Sequence, residues 1–351
     1  MNKKRYIGLV GFLTLIGGIA FLMFTANKNK EGAMDDSTSN HALSFNWDLT
    51  KEYHYTLETN RRISSGIPTD GDAGVLSFLK PETSLHTTLV IRPLTFVDGI
   101  YRLEWEFRDL QSFQIAVAGK VAVEREQAAQ WLVGPKAVIE MSTYGDIVSL
   151  NLPKNAPVVF KNTIQMIAGD LQFKLAESEQ AVWTAEEETL FGLFMVEYSK
   201  NACSAGWCVD KQRMAVMNIP NVKWVRDPTA LDTTLDSQGS ASFSNENVLL
   251  NVVASQDLAV TKQDGQEIFR ENASFDLKLA NTFPSEKRAY SVTLVQHKLG
   301  EIIPDEDADR NALENRVDGM TWVDAQQWFR GFDAAGQRPD HYTWVWRVIG
   351  L

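Results

Sequence analysis

Apolar and polar residues alternate along much of the middle of this chain, and this alternation limits what the chain can fold into. The run GIYRLEWEFRDLQSFQIAV places Tyr101, Leu103, Trp105 and Phe107 on one face. The runs YHYTLETNRRIS and SLHTTLVIRPLTFV alternate in the same way. Successive side chains of a strand point to opposite faces, so these runs predict strands with one dry side. The sequence therefore predicts a mainly β fold.

The segment KAVIEMSTYGDIVSLNL carries a hairpin signal. It consists of two alternating runs on either side of Tyr144, Gly145 and Asp146. Gly145 can adopt the positive φ that a tight hairpin turn requires. Because strands joined by tight turns run in opposite directions, we expect a mostly antiparallel sheet.

One helical pattern interrupts the strands, and it spans residues 157–173. Asn155 is the expected cap, and Pro157 lies where a missing N–H costs nothing. An apolar stripe at helical spacing comprises Phe160, Ile164, Ile167 and Leu171. Further apolar residues lie off this stripe, which predicts a helix enclosed on several sides. A curled antiparallel sheet or barrel around this central helix would enclose it, giving a mainly β fold of the α+β type.

Two interpretations of the central helix are open at this stage. It is either a plain core helix, or it lines an apolar cavity for a ligand. In the second case the stripe residues Phe160, Ile164, Ile167 and Leu171 are the lipid-cavity candidates. Trp105 and Met195 are weaker candidates for the opposite wall.

The residues available for catalysis or metal binding are few. Glu186, Glu187 and Glu188 follow one another at an element boundary, which favours a solvated turn over a general acid and base pair. The five histidines are scattered, and no nucleotide-binding, serine-hydrolase or zinc-protease motif occurs. We therefore expect no enzyme activity, no catalytic residue, no metal site and no cofactor. The formal charge of -11 also argues against a nucleic-acid partner.

The N-terminus has the pattern of an export signal. Lys3, Lys4 and Arg5 precede an uncharged run from Ile7 to Ala26, about 30 Å long as a helix and enough to cross a bilayer. Residues 1–30 are thus expected to be a signal anchor with a transmembrane helix, or a cleaved signal peptide. Residues 31–44 are polar and predict a linker. The expected location is the cell envelope, with an inner-membrane anchor and a periplasmic domain, or secretion after cleavage.

The cysteine content fits an oxidising compartment. Cys203 and Cys208 are the two cysteines of the chain, and they flank a short loop that contains Gly206. Their spacing is compatible with a disulfide in an exported protein. A metal site would need further soft ligands nearby, and a redox dithiol normally has two residues between its cysteines. We therefore predict a disulfide between Cys203 and Cys208.

Several short motifs together resemble a known family. They are Tyr144-Gly-Asp-Ile-Val, Phe160-Lys-Asn-Thr-Ile-Gln, Leu171-Gln, Trp183-Thr-x-x-Glu, Gly192 and Tyr198. In order and spacing they resemble the N-terminal β-barrel module of the vitellogenin and large lipid transfer protein family, particularly its bacterial relatives. The resemblance extends over Leu49 to Leu351. It departs from the family at Val196, where the family has a cysteine two residues before the tyrosine.

The resemblance implies a barrel that encloses a helix. In full-length relatives this barrel is followed by helical repeats and sometimes by large lipid-cradling sheets. These proteins carry or load lipid, and their N-terminal barrel also serves as a docking surface for receptors or partner subunits. The chain is too short to hold the lipid-cradling sheets as well.

The last part of the chain changes character. Residues 45–303 form the predicted β module, whereas residues 304–351 predict short helices. The final pattern leaves Trp344, Trp346 and Ile349 as partner-face candidates. Either a helical array follows in another polypeptide, or this helix folds back on the module, or the face binds a partner such as a helical-repeat protein.

These observations lead to a functional expectation. The chain is expected to be an exported, membrane-anchored module that binds or transfers lipid, or the docking domain of such a system. The alternative is a structural or carbohydrate-binding envelope domain, because ten tryptophans could supply surfaces on which sugars stack.

Overall fold

The computed structural model describes residues 43–68, 76–79, 81–117, 120–123, 125–218, 231–263, 265–286, 293–301 and 303. Within these ranges the chain forms fourteen strands and two helices. The strands of the first half are β1 Lys51–Pro68, β2 Leu76–Leu79, β3 Pro81–Val97, β4 Ile100–Val117, β5 Lys120–Val123, β6 Lys136–Ser142 and β7 Ile147–Pro153. The strands of the second half are β8 Val182–Thr189, β9 Gly192–Cys203, β10 Gly206–Asn218, β11 Leu231–Ser244, β12 Leu249–Lys262, β13 Glu267–Pro284 and β14 Leu294–His297. The helices are α1 Arg125–Leu132 and α2 Val158–Leu171.

The described strands form one antiparallel sheet, as the hairpin signal predicts. Its order is β14-β7-β6-β4-β3-β1-β13-β12-β11-β10-β9-β8, with β2 paired to β1 and β5 paired to β4. The strand β1 joins the two halves, because it pairs with β3 on one side and with β13 on the other. The prediction of a mainly β fold is therefore confirmed.

The alternative of a barrel is wrong, because the sheet ends at β14 and β8 without pairing them. β14 has only four residues, and the chain turns away from the sheet at Leu299 and Gly300. Gly300 then lies against the end of β8, where an added Cβ would be 3.0 Å from the carbonyl oxygen of Thr189. A non-strand segment thus contacts the far end of β8 without pairing with it.

The helix α2 is enclosed, as its all-round apolar pattern predicts. None of its residues is exposed, and even the polar Gln165 is fully buried and donates its amide to the carbonyl of Glu301 at 2.7 Å. The helix is slightly shorter than the predicted 157–173. The expected cap at Asn155 is wrong, because Pro157 occupies the N-cap position and no side chain caps the helix.

The alternating runs bury one face each. Tyr101, Leu103, Trp105 and Phe107 all belong to the hydrophobic core. Gly145 has a φ of 88°, as the hairpin signal requires. A Cβ at Gly145 would lie 2.0 Å from the carbonyl oxygen of Phe173, so this glycine also permits a close backbone approach.

The helix α1 has no counterpart among the sequence predictions. It is short, and it buries Ala128 and Leu132 between β4 and α2. Neither described helix has the length and apolar character needed to span a membrane. The predicted signal segment 1–30, most of the linker 31–44, the extension 304–351 and the candidates Trp344, Trp346 and Ile349 lie outside the described residues.

The predicted disulfide is confirmed. Cys203 ends β9 and Cys208 lies near the start of β10, so the bond crosses a two-residue hairpin turn. No free cysteine remains in the chain, since these two are its complete set.

Candidate functional site

The predicted lipid-cavity residues lie mostly in one packed core. Phe160, Ile164, Ile167 and Leu171 are between 0% and 4% exposed, and Trp105 is fully buried. The ring of Phe160 packs edge-on against Phe107 from β4, with centroids 5.9 Å apart. Met195 is half-buried and lies between the core residues Phe194 and Val196, so it belongs to the opposite face of the sheet.

A buried network of charges surrounds Glu187 of β8. Glu187 has no solvent exposure, and its two carboxylate oxygens receive Lys211 Nζ at 3.0 Å and Arg213 Nη2 at 3.1 Å. The hydroxyl of Tyr198, on β9, also donates to Glu187. Hydrogen bonds to an ionised group are the strong ones in proteins, so three strands are tied together at this carboxylate.

The network continues across the sheet to β1. Arg213 donates to the amide oxygen of Gln256, whose nitrogen donates to Glu271 at 2.8 Å. Arg61 of β1 pairs with Glu271 and donates to Asp170 of α2 at 2.7 Å. Residues from β1, β8, β9, β10, β12 and β13 thus meet at the end of the helix.

The cations of this network face the C-terminus of α2. Lys211 Nζ donates to the carbonyl of Gln172 at 2.6 Å, and its ammonium also lies 4.3 Å from the ring centroid of Phe173. Helix C-termini carry partial negative charge and unpaired carbonyls, which positive side chains stabilise. The arrangement fixes the end of α2 against the sheet, so the network positions the helix.

The pKa values of this network follow from burial and charge. Burial alone would raise the pKa of Glu187, but the charges of Lys211 and Arg213 and the hydroxyl of Tyr198 hold it below its ordinary value. Burial lowers the pKa of Lys211 and raises that of Glu271. Burial and the neighbouring Glu187 raise the pKa of Tyr198 well above its ordinary value.

The prediction of a solvated turn at the three glutamates is wrong for Glu187. All three lie on the strand β8, where Glu186 and Glu188 are exposed and Glu187 points inward. The signal that could have found it is the period of two, because Trp183 is also buried and shares its face with Glu187. The alternation is hard to see in the sequence because the inward position 187 carries a charged residue between two other glutamates.

Two open grooves lie on the outer face of the described part of the sheet. One, of about 430 Å³, crosses β9 to β12, and the other, of about 410 Å³, crosses β13, β1, β3 and β4. Polar side chains such as Asp210, Gln238 and Ser240 line the first groove, while Asn60, Ser84 and Gln114 line the second. Neither groove is lined by any of the six lipid-cavity candidates.

A second set of ion pairs lies on the outer face of β1, β3 and β4. Arg92 pairs with Glu104 and donates its Nε to Glu52 at 3.1 Å. Burial would raise the pKa of Glu52, but hydrogen bonds from His54 and Arg92 and the charges of Arg92 and Arg108 lower it to about 2.

The described residues include no group of side chains suited to hold a metal ion. Of the tryptophans that the structure describes, none is exposed. Trp47, Trp105 and Trp183 are buried, and Trp131 and Trp207 are half-buried. The ammonium of Lys200 lies 4.1 Å from the ring centroid of Trp207.

No family model and no curated protein sequence matches this chain. Among solved structures, the chain is similar to that of lipovitellin. That structure concerns lipid–protein interactions in lipovitellin. The TM-score is 0.51 at 11% sequence identity, and the match covers 79% of this chain and 32% of the lipovitellin chain.

This chain has a lipovitellin-like fold. At this identity the similarity concerns the fold alone, and the chain spans about a third of the lipovitellin chain. Within this fold, the Glu187 network is a buried polar feature of the described sheet interior.

Proposed function

We propose that this chain is an exported, non-catalytic module of a lipid-transfer system that acts by docking a partner polypeptide. The observation that carries the proposal is the burial of the α2 stripe, in which Phe160 and Ile164 have no exposure at all. Protein cores are packed at the density of organic crystals. An apolar stripe that is fully packed into such a core leaves no room for an acyl chain beside it. In this proposal α2 is a solid plug, and the module works through its surface.

The lipid part of the proposal rests on the fold. Lipovitellin is a protein whose lipid interactions have been described, and this chain shares its fold over 32% of the lipovitellin chain. Because the apolar stripe of α2 is fully packed in the core, we assign lipid carriage to a partner and not to this module. In this proposal the Glu187 network inside the sheet has a structural role, since its Lys211 bonds both to Glu187 and to the carbonyl of Gln172 at the end of α2.

The place of action is part of the proposal. The uncharged run from Ile7 to Ala26 supports a membrane anchor or an export signal, and the disulfide between Cys203 and Cys208 is compatible with an oxidising compartment. We place the module in the cell envelope. A helical-repeat partner that contacts Trp344, Trp346 and Ile349 remains a prediction of the sequence.

Two measurements on the full chain test this function. In native mass spectrometry after extraction in mild detergent, we expect the mass of the lipid-free protein. One phospholipid or neutral lipid bound per chain would contradict the proposal that α2 is a solid plug. The module would then be a lipid carrier.

The second measurement is photo-crosslinking in the native membrane. A photoreactive residue is placed in turn at Thr184, Ser240 and Asp276, which lie on three different strands of the outer face. We expect at least one position to yield a discrete protein adduct. If no position does so, docking through the described surface is overturned.

A further inference from the structure

The strand β8 is an edge of the described sheet, and its outer side is unpaired. β8 ends the hydrogen-bonded order of the sheet, and it pairs with β9 from Val182 opposite Ser199 to Thr189 opposite Gly192. A strand at such a position presents N–H and C=O groups that another chain can pair with.

The register shows which groups are free. Lys200 donates its N–H to the carbonyl of Ala181 at 2.8 Å, immediately outside the pair of Val182 and Ser199. In an antiparallel ladder this bond marks Val182 and Ser199 as a non-hydrogen-bonded pair. The N–H and C=O groups of the odd-numbered residues therefore face β9. Those of the even-numbered residues point away from it, and these are Val182, Thr184, Glu186 and Glu188.

These outward groups have no hydrogen-bond partner among the residues that the structure describes. Their side chains are exposed, and Val182 is 56% exposed. Gly300 approaches the far end of the strand at Glu188 and Thr189. The accessible stretch is therefore Val182 to Glu186, with Glu188 at its border.

The charge beside this edge identifies the kind of partner. Glu186 and Glu188 lie on the outer face of β8, and Glu197 lies on the same face of β9, opposite Thr184. Within the described part of the chain, none of the three acids forms an ion pair. A second copy of β8 would bring acids against acids, and like charges on paired strands are destabilising.

We propose that the β8 edge binds an extended basic segment of a partner polypeptide, which adds to the sheet as a further strand. Backbone hydrogen bonds to Val182, Thr184 and Glu186 hold the segment, as in other cases of strand addition. Alternate lysines or arginines on its outer face meet Glu186 and Glu188. On the inner face, its side chains pack beside Trp183, which stacks on Tyr198 with ring centroids 5.4 Å apart.

This inference rests on the proposed docking function and names the docking site. The test uses the full chain and an eight-residue peptide in which lysine alternates with valine, acetylated and amidated at its ends. Binding is measured by isothermal titration calorimetry. Two matched peptides serve as controls, one with glutamate in place of lysine and one with N-methyl groups on alternate amides.

We expect the lysine peptide to bind and the glutamate peptide not to bind. N-methylation on the pairing side removes strand hydrogen bonds and keeps the charge, so we expect affinity to fall by about tenfold or more, as the loss of one to two hydrogen bonds predicts. Equal binding of the methylated and unmethylated peptides, or of the lysine and glutamate peptides, would overturn the proposal.

Variants of the protein test the same edge from the other side. Glu186→Pro removes an outward N–H and leaves every β8 to β9 hydrogen bond in place, and edge strands tolerate proline. We expect this variant to bind the lysine peptide with about tenfold lower affinity. The double variant Glu186→Gln with Glu188→Gln should lower the affinity for the lysine peptide less, and should reduce the salt dependence of its binding. Asp276→Asn, which removes an exposed acid from the central strand β13, should leave binding unchanged.

If Glu186→Pro does not fold, the N-methylated peptide still decides the matter with the unaltered protein. The outcome also separates the two proposals. Crosslinks from Ser240 or Asp276 without peptide binding at β8 would retain the docking function and reject this edge. Absence of crosslinks at every position would reject the docking function itself.

Discussion

At the scale of single residues, Glu187 and Glu186 provide a matched pair. They are neighbours on β8, but Glu187 is fully buried between Lys211 and Arg213 whereas Glu186 is exposed. Removing one partner of a buried ion pair leaves a charge without compensation. We expect Glu187→Gln to lower the free energy of unfolding by about 3–5 kcal/mol, measured by urea denaturation.

The control for this prediction is Glu186→Gln, which we expect to change the free energy of unfolding by less than about 0.5 kcal/mol. The double variant Glu187→Gln with Lys211→Met should be less destabilised than the sum of its single changes, because the two residues are in contact. Equal effects at Glu186 and Glu187 would contradict the buried network.

A second residue-scale prediction concerns two glycines with similar backbone angles. Gly145 has a φ of 88° and Gly265 a φ of 83°, but an added Cβ meets the carbonyl oxygen of Phe173 at Gly145 and nothing at Gly265. Gly265→Ala should therefore cost about 1 kcal/mol from backbone strain, and Gly145→Ala clearly more. Thermal unfolding of the two variants gives the comparison, and similar melting temperatures would refute the close approach.

At the scale of elements, substitutions in the central helix α2 test whether it is a solid plug. Ile164 is fully buried and Met166, two residues further along α2, is half-buried. We expect Ile164→Ala to cost about 2–5 kcal/mol through lost contacts and a residual cavity. Met166→Ala should cost distinctly less. If Ile164→Glu leaves folding unchanged, α2 is not packed as the structure has it.

The elements also show how far sequence patterns reach. Alternation locates the strands that bury Leu103 and Trp105, and the all-round apolar pattern of α2 predicts its enclosure. Both features depend on local period and composition. The burial of Glu187 depends instead on Lys211 and Arg213, which lie more than twenty residues away, so no local pattern reports it.

Sheet closure is a similar case. Whether the sheet closes depends on where β14 stops and on how Gly300 meets Thr189, which are properties of the assembled fold. The short helix α1 escapes prediction because its eight residues show only two buried positions, Ala128 and Leu132. The disulfide could be predicted, since Cys203 and Cys208 flank a single tight turn.

At the scale of the whole molecule, carboxylates with lowered pKa values make the free energy of unfolding depend on pH in the acidic range. The pKa of Glu52 is about 2 in the folded protein, against an ordinary value of 4.5, and that of Glu187 is also lowered. The unfolded chain then binds protons more readily than the folded one as the pH falls. The stabilisation from Glu52 is complete above pH 4.5 and is lost progressively between pH 4.5 and about 2. The raised pKa of Glu271 acts in the opposite direction, because its folded state takes up a proton first.

The resulting prediction is a shallower acid response after Glu52→Gln. In urea denaturation at pH 6 and pH 3, the unaltered protein should lose more stability between the two pH values than the variant does, because glutamine cannot take up the proton. Glu58→Gln, which removes an exposed glutamate from the same strand, should retain the full pH dependence. If Glu52→Gln and Glu58→Gln respond alike, the ion pairs of Glu52 with Arg92 and Arg108 do not set the acid stability of the sheet.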